Sequence, residues 1–145
     1  MQLRKQSLAV SWLLVLILAG CNQAGSPNGQ FFGVWNAAYT DPNFGRVNSQ
    51  LILQQNGSFQ RQDVGLDTGA ITTIYGTFRV FADQKLLRLD IERGEPTEFC
   101  GPLGCNPILY PKGESYTYGF TDPNTLQLHF LYCQPSQCNY TYHRQ

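Results

Sequence analysis

The sequence predicts an all-β fold, an eight-stranded antiparallel up-and-down barrel, and three observations carry the prediction. After residue 30 no helical periodicity is evident, whereas short runs of alternating apolar and polar residues recur to the end of the chain. Turn residues separate these runs. The connections alternate between tight and long, as they do when each strand folds back on the last and successive connections fall at opposite ends. Closing eight such strands removes the exposed edges that an open antiparallel sheet must protect.

The runs are 31 to 40 (FFGVWNAAYT), 46 to 55 (RVNSQLILQQ), 58 to 64 (SFQRQDV), 72 to 81 (TTIYGTFRVF), 85 to 92 (KLLRLDIE), 114 to 121 (ESYTYGFT), 125 to 132 (TLQLHFLY) and 139 to 144 (NYTYHR). Asn56-Gly57, Ala82-Asp83-Gln84 and Asp122-Pro123-Asn124 are hairpin turns that close one end, Asn-Gly being the strongest such signal. Residues 41–45, 65–71, 94–113 and 133–138 are the longer connections, and they gather at the opposite mouth. Alternation places Trp35, Ala37, Leu51, Leu53, Phe59, Ile74, Phe78, Val80, Leu87, Leu89, Ile91, Tyr118, Phe120, Leu126, Leu128 and Phe130 inside. Barrels of this size are filled by their own side chains or hold one small ligand. Carried on to the mouth, the same parity brings together Tyr39, Tyr116, Tyr132 and Tyr140. Rings with a polar tip suit a small amphipathic or aromatic ligand, so these four are the candidate ligand-binding mouth. The competing reading is that they pack beneath the 94–113 loop.

Residues 1–20 carry Arg4 and Lys5, a mostly apolar run from Leu8 to Ala19 and no acidic residue, the pattern of a secretory signal. Residues 22–30 (NQAGSPNGQ) are small and polar and read as a flexible linker, which leaves 31–145 as one domain. Without Arg4 and Lys5 the chain has eight basic and ten acidic residues, no electrostatic footprint for nucleic acid.

Leu18-Ala19-Gly20-Cys21 resembles the lipobox of bacterial lipoproteins. The resemblance implies cleavage before Cys21, lipidation of its sulfur and a membrane partner reached through the lipid. Each buried methylene contributes roughly 0.8 kcal/mol, so two or three chains hold firmly. Asn22, where an Asp typically retains such proteins in the inner membrane, points to the outer membrane if the cell is Gram-negative. Gly33-Val34-Trp35 and Asn56-Gly57-Ser58-Phe59 resemble motifs of the lipocalin-like, or calycin, barrels. That resemblance implies that Arg144 packs across Trp35 at the closed end, a cation–π contact of roughly 0.5–2 kcal/mol. The short first connection and the lack of a helix before the last strand depart from transport lipocalins and point to a reduced domain.

No catalytic constellation is evident: His129 faces outward by parity, and His143 lies near the chain end without a Ser or Asp partner at motif spacing. Asp90, Glu92, Glu95 and Glu98 lack a calcium-loop pattern and read as a solvated face. Cys100, Cys105, Cys133 and Cys138 form two C-x4-C pairs, each enclosing a proline. Zinc knuckles and redox pairs favour C-x2-C, whereas an exported chain with an even set of four favours structural disulfides. No metal or other cofactor is expected. Two connectivities are open: local pairs, or cross-bridges from Cys100 to Cys138 and Cys105 to Cys133 that pin the long loop over the mouth. The sequence thus points to a non-enzymatic, membrane-anchored binding module for a small apolar or aromatic ligand or an envelope component. The alternative is an inhibitor-type protein that binds an envelope protein through the proline-rich 94–113 loop.

Overall fold

The computed structural model describes residues 28–133 and 138–145; the signal, Cys21 and the linker up to residue 27 lie outside the described residues. Ten strands follow a short 3-10 turn, Gly29–Phe31: β1 (Gly33–Asp41), β2 (Gly45–Leu53), β3 (Ser58–Gly65), β4 (Ile71–Phe81), β5 (Leu86–Glu95), β6 (Glu98–Gly101), β7 (Gly104–Pro107), β8 (Gly113–Asp122), β9 (Thr125–Phe130) and β10 (Asn139–Arg144). Eight of them close into a barrel in the order β1-β10-β9-β8-β5-β4-β3-β2, so each barrel strand pairs with its neighbours in sequence and the last pairs with the first. This is the predicted meander.

Alternation sets which side chains fill it. Leu51, Leu53, Leu87, Leu89 and Leu126 are at most 1% exposed, and each contributes roughly 1.5–3 kcal/mol by leaving water. Phe31, read as the start of the first strand, instead sits in the 3-10 turn and is fully buried. Its ring meets Tyr118 and Phe120 edge-on and plugs the closed end. There the Arg144 guanidinium lies 4.3 Å from the Trp35 ring and donates to the carbonyls of Phe32 and Gln30 at 2.7 and 2.6 Å. Trp35 and Arg144 thus meet at the closed end. Gln30 is held there too, although the linker was expected to run to that residue.

Two glycines are dictated by the backbone. Gly57 has φ +84° in the turn between β2 and β3, where Asn56 Oδ1 accepts from the Ser58 amide at 2.9 Å. Gly76 sits at a register shift between β4 and β5, and a Cβ there would collide with the carbonyl of Asp90.

The 94–113 connection is not a simple loop. β6 and β7 pair into a separate two-stranded hairpin, with Cys100 opposite Cys105 and bonded to it. Cys133 bonds to Cys138, so both disulfides are local and the cross-bridged alternative is excluded. All eight residues of β6 and β7 are exposed, and the hairpin hides none of its side chains against the barrel.

The two bridges therefore differ in consequence. Cys138 is buried, and its carbonyl accepts from the Phe130 amide where β9 meets β10. In a Cys133→Ser/Cys138→Ser variant, barrel stability is expected to fall by about 2 kcal/mol, the chain-entropy value for so short a loop. Cys100→Ser/Cys105→Ser should loosen only the hairpin and leave the barrel's urea midpoint in place. Equal losses from both variants would sink this separation.

Candidate ligand-binding site at the barrel mouth

Leucines fill the barrel near its closed end, but its inward positions turn polar halfway up. On β2 the inward series runs Leu53, Leu51, Ser49, Val47, and on β3 it runs Phe59, Arg61, Asp63, Gly65. Ser49 is buried and shares a 2.8 Å hydrogen bond with the Tyr142 hydroxyl across the interior. Arg61 has 16% of its side chain exposed and reaches from β3 to β8. Its Nη1 donates to Glu114 Oε2 at 2.5 Å and to the Tyr116 hydroxyl at 2.9 Å, and its Nη2 donates to Glu114 Oε1 at 3.2 Å. Its Nε donates to Asp63 Oδ2 at 3.0 Å. The Tyr116 hydroxyl donates in turn to Glu114 Oε2. This network forms a polar floor.

Above the floor lies a cavity of about 280 Å³, bordered by residues of β1, β2, β3, β4, β8, β9 and β10. Such a volume, just below the usual range for drug-sized pockets, suits a molecule with one ring. Three of the four tyrosines expected at the mouth line it: Tyr39, Tyr116 and Tyr140. The Tyr39 and Tyr140 rings meet at 4.8 Å and 72°, and Tyr140 meets Tyr116 at 6.2 Å and 75°. Rings at such steep angles present both faces and edges to the space between them.

Tyr132 does not join them. β9 ends at Phe130, two residues before the predicted run does, and the chain turns toward the Cys133–Cys138 bridge. Tyr132 is left 78% exposed, with its ring 5.8 Å from that of Phe130. No residue of the 94–113 loop lines the cavity, so the rings do not pack beneath a lid. On the outer face His143 is exposed and His129 half-buried: His129 Nδ1 lies 2.8 Å from Asn139 Oδ1, and His143 Nδ1 lies 3.3 Å from Thr125 Oγ1. Of the acidic stretch, Asp90 pairs with Arg79 and Arg88 on the outer wall, at 2.9 and 2.7 Å.

Burial governs the protonation of the floor and walls. It raises the hydroxyl of Tyr39, with Asp63 adding to the effect, and pushes Tyr142 up to about 12. Tyr116 is driven well above the usual phenol range by burial; Glu114 adds to that while Arg61 opposes it. All three hydroxyls stay protonated at neutral pH. Burial works against the charge of Glu114 as well, yet the Arg61 guanidinium and the hydrogen bonds from Arg61 and Tyr116 hold it below its ordinary value. The pair is therefore a true ion pair.

Sequence reasoning overlooked Arg61, Asp63, Glu114 and Tyr142. Parity from Phe59 and Tyr116 had already turned the three charged positions inward.

No family model matches the chain, and no curated protein matches it. Among solved structures, it is similar to a de novo designed fluorescence-activating β-barrel, at 14% identity and a TM-score of 0.48, over 83% of this chain and all of the designed one.

Proposed function

We propose that the protein is a non-enzymatic binding module: a reduced lipocalin-like barrel, tethered to the envelope membrane through lipid on Cys21, whose mouth takes up one small ring-bearing molecule. The observation that supports this reading is the cavity of about 280 Å³ between Tyr39, Tyr116 and Tyr140, set on a polar floor and open at the end away from Trp35. Its apolar walls would hold a ring, and its few fixed polar groups would orient it. Titration of the purified protein with one-ring compounds, followed by calorimetry, is expected to give saturable 1:1 binding. Tyr140→Ala, which removes a ring touching both other tyrosines, should weaken that binding at least fivefold. Failure of neutral, cationic and anionic one-ring compounds alike to saturate would end this reading.

One observation favours the inhibitor-type alternative. The β6–β7 hairpin projects Phe99 at 69% exposure and Leu103 fully exposed, on a frame stapled by Cys100–Cys105. A rigid loop with apolar side chains loses little freedom on meeting a protein partner. Replacing residues 98–107 by a short glycine linker should abolish capture of an envelope protein if that reading holds, and leave one-ring binding unchanged if the mouth is the site.

A further inference from the structure

The mouth carries more negative charge than its floor uses. Asp41, Asp63 and Glu114 line the cavity, and Arg61 is the sole cation that does so among the described residues. That leaves an excess of two negative charges. Four of the five Arg61 N–H groups are given to Asp63, Glu114 and Tyr116. Arg46, near the rim, is neutralised by Asp67 at 2.7 Å. Asp63 gives only Oδ2 to Arg61; its Oδ1 is shut off from solvent and has no hydrogen-bond partner among the described residues. A buried carboxylate with one oxygen unsatisfied gains from a cation brought near it.

The walls are suited to the same kind of guest. Tyr39, Tyr116, Tyr140 and Phe130 surround the space, with Tyr116 and Phe130 rings 5.3 Å apart at 45°. The faces of such rings attract a cation, by roughly 0.5–2 kcal/mol for each well-placed contact. Within low-dielectric walls the surplus carboxylates act on it more strongly than they would in water. An anion meets the reverse: surplus negative charge and a guanidinium already committed to Asp63 and Glu114. We infer that the mouth selects a small organic ammonium ion carrying one aromatic or apolar group, over neutral and anionic molecules of the same shape. The ammonium charge would be balanced by the surplus carboxylates, Asp63 from below and Asp41 at the rim, and the ring would stand among the tyrosines.

This inference rests on the mouth being a binding site, and three near-isosteric probes separate the two ideas. Benzylammonium, benzyl alcohol and benzoate are titrated into the purified protein at pH 7 and low salt. Benzylammonium is expected to bind at least tenfold tighter than benzyl alcohol, and benzoate weakest. In Asp63→Asn, checked for native circular dichroism, the ratio of ammonium to alcohol affinity should fall to within about threefold. Asp41→Asn, at the rim and away from the floor network, should lower the same ratio by a smaller factor. If the alcohol or benzoate binds as tightly as the ammonium, the inference is overturned and the binding module stands. If none of the three saturates, both fall together.

Discussion

Replacing Arg61 by Met is expected to destabilise the barrel by about 3–5 kcal/mol at pH 7, because it strips the cation from a site that keeps its carboxylates. Glu114 and Asp63 have only 13% and 19% of their side chains exposed, so little water is at hand to take over. The pH dependence is the sharper test. In the native protein burial works against the charge of Glu114, but Arg61 and the hydrogen bond from Tyr116 hold it below the ordinary carboxylate range. A carboxylate with a lowered folded value contributes stability that is complete above about pH 4.5 and is lost as the pH falls through the folded value. Without Arg61, burial and the neighbouring carboxylate outweigh the one hydrogen bond left, from Tyr116, and the folded value of Glu114 moves above the unfolded one. The folded state then takes up protons first, and stability rises as the pH falls from 7 toward 5. Urea unfolding followed by circular dichroism should show the two profiles sloping in opposite senses over that range or below it. Removing all three charges, as in Arg61→Met/Asp63→Asn/Glu114→Gln, should recover most of the loss, since no charge is left unpaired. A variant whose profile runs parallel to the native one would show that the floor is not held by charge.

The meander and its filled end were legible because one face of each barrel strand is buried, and burial writes a period of two into the sequence. Phe59 and Tyr116 were placed inside on that basis, and the same alternation reaches Arg61, Asp63 and Glu114. A charged residue at an inward position normally contradicts the pattern. Here three of them compensate one another across the interior, between β3 and β8, 53 residues apart in sequence for Arg61 and Glu114. No local rule joins those positions. Tyr132 failed for the opposite reason: parity was extended past the end of β9, where the chain had already turned. The β6–β7 hairpin was invisible to the same reasoning, since all of its residues are exposed and neither face leaves a signature.

Trp35→Ala is the second change expected to have a large effect, about 3–5 kcal/mol, and its mechanism is closure rather than packing alone. β1 and β10 pair through only Trp35 with Arg144 and Asn36 with His143, the shortest seam in the barrel. Trp35 is fully buried at that seam, and its indole N–H donates to the carbonyl of Phe31 at 2.7 Å. Arg144 lies across its outer side and ties down the carbonyls of Phe32 and Gln30. The ring therefore joins the plug, the first strand and the last strand. Trp35→Phe keeps much of the apolar area but leaves the Phe31 carbonyl unpaired, at a cost of roughly 1–3 kcal/mol. Arg144→Met removes the charge and both hydrogen bonds while keeping a long apolar stem. If the two side chains act as one clasp, a double-mutant cycle between Trp35→Phe and Arg144→Met, measured by urea unfolding, should give a coupling of about 0.5–2 kcal/mol. Strictly additive losses would mean that Arg144 caps the closed end independently of the ring beneath it.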